Sequence, residues 1–177
     1  MLDTNVLSEL MRDKPANAVL DWFAQNAGSL MHISAVTQAE ILTGIALLPE
    51  SKRRTALAVA AELMFEQDFA GHCLAFDAVA ASNHAVIVSE RTRQGHPITT
   101  EDAQIAATAL ANALTVATRN TADFKNIRGL EIVTRSPSSR RLVCVRSYYI
   151  CSYIRRGRLV RRSSEIKDKG DANLCLS

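Results

Sequence analysis

The chain has 177 residues, 47% hydrophobic and 22% charged, which suits one domain with a buried core and excludes a disordered chain. No run of about 18 apolar residues occurs, which excludes a membrane-spanning helix of ordinary composition. The net charge of +3 conceals a division: residues 1–134 hold 10 Lys and Arg against 15 Asp and Glu, and residues 135–177 hold 11 against 3. The first part is therefore net acidic and the second strongly basic, and this shift sets a boundary near Arg135.

In chain order, Met1 and Leu2 read as the stub of a strand ending at Asp3. Thr4 is placed to cap a short helix through Val6, Leu7, Leu10 and Met11. Pro15 suits the first turn of the next helix, with Val19, Leu20, Trp22 and Phe23 as its apolar face. Leu30–Ile33 is strand-like. A helix follows with Ile41, Leu42, Ile45 and Leu48 on one face, and Pro49 ends it. Residues 51–68 give one helix, 73–76 a short strand and 78–94 another helix, which the Gly-His-Pro at 95–97 breaks. Residues 100–112 form an alanine-rich helix. Residues 115–118 and 130–133 are the remaining strands. Short β-prone runs alternating with longer helices predict an α/β fold, a central parallel sheet with helices on both faces. Sites in such sheets lie beyond the carboxyl ends of the strands, and Asp3 and the segment 119–123 both fall there.

Four acids stand at element boundaries: Asp3, Glu40, Asp102 and Asp123. Clustered carboxylates with no His or Cys beside them suit Mg²⁺ or Mn²⁺ rather than zinc. Each acid also has a purely structural reading. Glu40 closes a Thr-x-x-Glu capping box with Thr37, and Asp102 a similar pattern with Thr99. Asp123 suits a turn after Asn120, and Asp3 the end of a strand. Taken singly, the structural reading is favoured for each.

The local words carry more. "MLDTNVLSEL" at 1–10, "ISAVTQAEILTGIALLP" at 33–49 and "TTEDAQIAATALANALTVATRNTADFKNIRGLEIV" at 99–133 resemble, in order and spacing, the motifs of PIN-domain ribonucleases. The nearest likeness is to VapC and FitB-type toxins of toxin–antitoxin pairs. The resemblance implies a PIN-like three-layer sandwich over residues 1–134. It implies a toxin that is a metal-dependent endoribonuclease using Mg²⁺ or Mn²⁺, leaving 5′-phosphate and 3′-hydroxyl ends. By position, Asp3, Glu40, Asp102 and Asp123 match the metal-binding acids. Asn120 stands where some members carry the acid instead. Thr118 matches a polar neighbour of the site, and Asn5 matches an Asn whose side chain ties down the loop after the first strand. The expected partners are an RNA substrate, an antitoxin and a second copy of the chain, with promoter DNA reached only through the antitoxin. Asp3 and Glu9, with no basic segment before an apolar one, argue against a secretory leader and for a cytoplasmic protein.

Arg12, Lys14, Arg91, Arg93, Arg119, Lys125 and Arg128 are candidates for RNA phosphate contact, Arg119 foremost because it lies inside a site motif. His32, His72, His84 and His96 form no ligand spacing. Cys73 is expected to be a buried free thiol. Trp22 and Phe23 are expected in the core or a dimer interface. Two features depart from the family. Only two apolar residues precede Asp3, which implies either a coding start upstream of Met1 or a less stable fold. The extension at 135–177 is read as read-through or frameshifted sequence rather than a basic nucleic-acid-binding arm. Its Leu142–Ile154 run is an aggregation hazard.

Two other functions fit the residues less well. A PIN-fold partner acting mainly in an antitoxin–DNA complex does not require four intact acids. A phosphatase of the haloacid dehalogenase type wants a second Asp two residues after the first, and that position is Asn5.

Overall fold

The computed structural model describes residues 1–26 and 28–134. The expectations for the C-terminal extension lie outside these residues. Four short strands are present: β1 (Ile33–Ser34), β2 (Cys73–Leu74), β3 (Val116–Ala117) and β4 (Ile132–Val133). β1 pairs with β2 and β3 with β4, both parallel. Residues 1–3 join the two pairs. Leu2 forms a parallel bridge with Ala117, and its N–H donates to the His32 carbonyl at 2.8 Å. The spatial order is thus 73–74, 33–34, 1–3, 116–117, 132–133. The short N-terminal stub is the central segment. The α-ammonium of Met1 donates to the Thr115 carbonyl at 2.7 Å, and burial lowers its pKa.

Side chains alternate across this sheet and build two cores. Leu2, Ile33 and Ala117 face a cluster with Val6, Leu7, Val19, Phe23, Ile41 and Met64. Met1 and Val116 face the other, with Ala103, Ile105, Ala106, Ala107, Ala109 and Phe124. α1 (Thr4–Leu10), α2 (Asn17–Gln25), α3 (Ala35–Ala46) and α4 (Lys52–Leu63) belong to the first face. α5 (Ala78–Arg93), α6 (Thr100–Ala111) and α7 (Thr121–Phe124) belong to the second. This is the three-layer α/β arrangement the alternation of elements predicts. Replacing Leu7, fully buried in the first core, with alanine is expected to cost about 3 kcal/mol of stability, read from urea denaturation. A loss under about 1 kcal/mol would mean that the first core does not rest on this helix.

Local details depart from the sequence reading. The cap of α1 is Asp3, not Thr4: its carboxylate accepts from the Thr4 N–H. Pro15 lies before α2, whose N-cap is Ala16. Leu30 is outside any strand and exposed. On α3, Ile41 and Ile45 are buried but Leu42 is exposed, because the buried stripe is narrow. The helix expected over 51–68 changes at Met64 into a π-helical turn, Met64–Asp68. The Phe69 N–H closes it on the Met64 carbonyl five residues back, and both side chains reach the core. After α5, Gly95 at φ +73° supplies the left-handed turn, with N–H bonds from Gly95 to Thr92 and His96 to Arg91. Cys73 is exposed rather than buried, because it sits on the outer strand; its thiol donates to Gln38 Oε1 at 3.1 Å. Phe23 is in the core, with Trp22 packed edge-on against it. Among the described residues no helix is long and apolar enough to cross a membrane.

Candidate metal centre

Asp3 ends the central segment, and its backbone N–H donates to the Ala117 carbonyl at 3.0 Å. Its side chain is 2% exposed. Oδ1 accepts from the Thr4 N–H at 2.7 Å and Oδ2 accepts from the Thr118 hydroxyl at 2.7 Å. Thr118 is able to donate in that direction because its oxygen already accepts twice. Asn5 Nδ2 donates to it at 3.1 Å and the Asn120 N–H at 2.9 Å. Asn5 Oδ1 in turn accepts from the Arg119 N–H at 3.0 Å. Asn5 therefore ties the loop after the central segment to the loop after β3.

The structural reading of Glu40 does not hold. The N-cap of α3 is Ser34, whose hydroxyl accepts from the Thr37 N–H. Thr37 is thus inside the helix and not its cap, and Glu40 closes no box. The Glu40 carboxylate instead accepts from the Thr4 hydroxyl at 2.6 Å, which brings it to the first turn of α1. Asp102 keeps part of its structural role. Thr99 is the N-cap of α6, accepting from the Asp102 N–H at 3.1 Å and donating to Asp102 Oδ2 at 2.8 Å. Asp123 lies in α7 and accepts from Asn120 Nδ2.

Electrostatics links these acids. Burial pushes the Asp3 carboxyl up from 3.8 to about 6; the bonds from Thr118 and Thr4 oppose that, while the charges of Asp102 and Glu40 add to it. Asp102 is also raised, first by burial, with Asp123 and Glu101 adding repulsion. The chain thus concentrates negative charge at one edge, where a divalent cation would relieve both the repulsion and the burial cost. Among the described residues no three His, Cys, Asp or Glu side chains form a ready-made metal cage. Mg²⁺ does not require one, since it takes one or two carboxylates and completes its shell with waters and phosphate oxygens. The all-oxygen donor set fits a hard divalent cation and does not fit the nitrogen and sulfur preference of zinc.

Sequence reading passed over Glu9. It is 4% exposed, and its carboxylate accepts from the Ala16 N–H at 3.0 Å, Arg12 Nη1 at 3.1 Å and Arg119 Nη1 at 2.6 Å. The Ala16 bond and the two guanidiniums hold its pKa below the usual range against the cost of burial. The available signal was its position four residues after Asn5, the same face of a mostly apolar helix. Three of the phosphate-contact candidates are occupied elsewhere. Arg12 and Arg119 are bound to Glu9, and Arg91 is buried and donates to the Lys125 carbonyl at 3.0 Å.

The PIN domain family model matches residues 1–130. The chain is 40% identical over 124 residues to toxin FitB of Neisseria gonorrhoeae, which spans 70% of this chain and 89% of that protein. It is 38% identical over 133 residues to VapC ribonuclease Y4jK of Sinorhizobium fredii, covering 75% of this chain and 94% of that one. A solved structure of FitAB bound to an IR36 DNA fragment superposes with a TM-score of 0.67 at 36% identity, over 76% of this chain and 93% of that chain. With acids at one edge of its short parallel strands and a family match running from Met1 to Leu130, the chain belongs to the PIN-domain family.

Proposed function

We propose that this chain is the toxin of a toxin–antitoxin pair, an endoribonuclease that hydrolyses RNA phosphodiester bonds with Mg²⁺ or Mn²⁺. The observation that carries the metal dependence is Asp3, a carboxylate 2% exposed whose pKa is raised by burial and by neighbouring acids. A buried group of this kind is costly unless a cation sits against it. Its near-homology to a VapC ribonuclease and to toxin FitB supports the nuclease and toxin reading. Asp3, Glu40, Asp102 and Asp123 are the residues to hold the metal. When bound, the ion activates a water, neutralises phosphate charge and steadies the leaving oxygen.

The chain's own part is orientation. Thr118 turns one Asp3 oxygen by donating to it, Thr99 does the same for Asp102 and Thr4 for Glu40. Each hydroxyl occupies one lone pair and leaves the carboxylate other lone pairs for the ion. The partners follow from the same reading: an antitoxin, promoter DNA through that antitoxin, and a homodimer in the cytoplasm. The FitAB structure on DNA supports the first two.

The test is cleavage of total RNA by the antitoxin-free full chain. Cutting is expected with Mn²⁺ or Mg²⁺. It should vanish with EDTA and fall at least ~100-fold in Asp102→Asn, as expected when a charge-stabilising group is lost from a reacting centre. No cutting by a folded, Mn²⁺-bound protein would favour the antitoxin–DNA partner reading instead.

A further inference from the structure

The loop after β3 is fastened to α1 at three points. Thr118 exchanges hydrogen bonds with Asp3 and Asn5, the Arg119 N–H meets Asn5 Oδ1, and the Arg119 guanidinium meets Glu9. The first two bonds are neutral or involve Asp3 itself. The third is a short charge-assisted contact of 2.6 Å to a carboxylate only 4% exposed, stronger than a neutral hydrogen bond. Asn5 and Glu9 lie one helical turn apart on α1, so Glu9 extends the same face that receives the loop. Glu9 is itself fixed from the other side, by the Ala16 N–H at the start of α2. Arg12 touches the same Glu9 oxygen, but it belongs to the segment after α1 and is 67% exposed.

We infer that the buried Glu9 and the partly exposed Arg119 form a clamp that positions Thr118, and through it Asp3, for metal binding, so that Arg119 is a positioning residue rather than an RNA phosphate contact. The chain of contacts is direct. Glu9 holds the Arg119 side chain, Arg119 carries the backbone next to Thr118, and Thr118 donates to Asp3 Oδ2. Outer-shell partners of this kind typically change metal affinity or activity 10–100-fold when removed. A phosphate contact behaves differently: its loss weakens RNA binding and flattens its salt dependence without touching the metal. The inference rests on the metal-dependent reading above.

The experiment titrates Mn²⁺ alone into the full chain by calorimetry, below the melting temperature of every variant. Steady-state cleavage is then measured on one RNA. Arg119→Ala and Glu9→Gln are expected to weaken Mn²⁺ at least ~10-fold and to lower kcat with the RNA KM unchanged. Arg119→Lys, which keeps a cation against Glu9, is expected to recover most of the affinity. Arg12→Ala removes the other guanidinium on the same carboxylate and is expected to leave Mn²⁺ affinity unchanged. Should Arg119→Ala fail to fold, Arg119→Met keeps the apolar stem without a donor for Glu9 and carries the same comparison. Wild-type Mn²⁺ affinity in the Arg119 variants, with a raised RNA KM and a shallower salt slope, overturns the clamp and makes Arg119 a phosphate ligand. Equal weakening by Arg12→Ala also overturns it, since the effect would then be general to the Glu9 cluster. A wild-type chain that binds no Mn²⁺ removes the metal reading itself, a failure distinct from either.

Discussion

Asp3→Asn is expected to reduce RNA cleavage at least ~100-fold while making the metal-free protein more stable at neutral pH than at acid pH relative to wild type. Both effects come from one buried carboxylate. Its pKa is about 6 in the folded chain against 3.8 as a free group. Between those values the folded chain holds a proton that the unfolded chain has lost. The protein therefore loses stability from this position as pH rises from about 4 to 6, and the loss is complete above the folded pKa. Asn carries no charge and has no such slope. The stability difference, variant minus wild type, should grow by roughly 2 kcal/mol between pH 4 and pH 7. Urea denaturation in EDTA at a series of pH values reads it directly. Mn²⁺ at pH 7 should raise the melting temperature of wild type and not of Asp3→Asn, because a ligand stabilises only the state that binds it. A difference that stays flat with pH would mean that Asp3 ionises as freely folded as unfolded. Cleavage by Asp3→Asn within tenfold of wild type would remove Asp3 from the metal site.

Thr118→Val is the second large effect. The hydroxyl is 2% exposed and takes part in three hydrogen bonds, donating to Asp3 and accepting from Asn5 and the Asn120 N–H. Valine matches its shape and offers none of them. Fully buried donors left without acceptors cost about 1–3 kcal/mol each; Asn5 is half-buried and Asn120 exposed, so a loss of about 2 kcal/mol is expected. The bond from Thr118 also favours the ionised form of Asp3. Its removal leaves Asp3 a poorer metal ligand at neutral pH, and cleavage should fall about 10–100-fold. Thr118→Ser keeps the hydroxyl and should retain most of the activity, although it loses a methyl group. The comparison is made by urea denaturation and by kcat at saturating Mn²⁺. Equal kcat for the Val and Ser variants would show that the hydroxyl does not serve the site.

These two residues also show how differently the site positions could be read. Thr118 was legible only as a neighbour inside a motif, because nothing in a one-dimensional string says that a hydroxyl accepts from Asn5 and donates to Asp3. The two bonds span more than a hundred residues of sequence. Glu9 was missed for the same reason. On the page of letters it is one charge in a short helix, and only packing of that helix against α2 and the loop after β3 buries it. Glu40 shows the reverse error. Its spacing from Thr37 obeys the capping-box pattern, yet the helix begins at Ser34, so the pattern falls one turn inside the helix, where it has no cap to make.

The sequence by itself determined the alternation of elements and the PIN-domain motifs that single out the four acids, although it set Glu40 at a helix start where the structure has it inside α3. Those features are local: hydrophobic period, cap residues and contiguous words depend on neighbours within a few residues. It also placed Met1–Asp3 as the stub of a strand and a helix break at 95–97. Tertiary structure alone decided that this two-residue stub is central, because its hydrogen bonds run to His32 on one side and Ala117 on the other. It alone turned the end of the expected helix over 51–68 into a π turn that seats Met64 and Phe69. It took Arg119 from the list of free cations to a buried carboxylate, and set Asp3 beside Thr118 with its pKa raised. Burial and partnership are properties of surfaces brought together across the chain, and a charge's behaviour follows from them rather than from its place in the sequence.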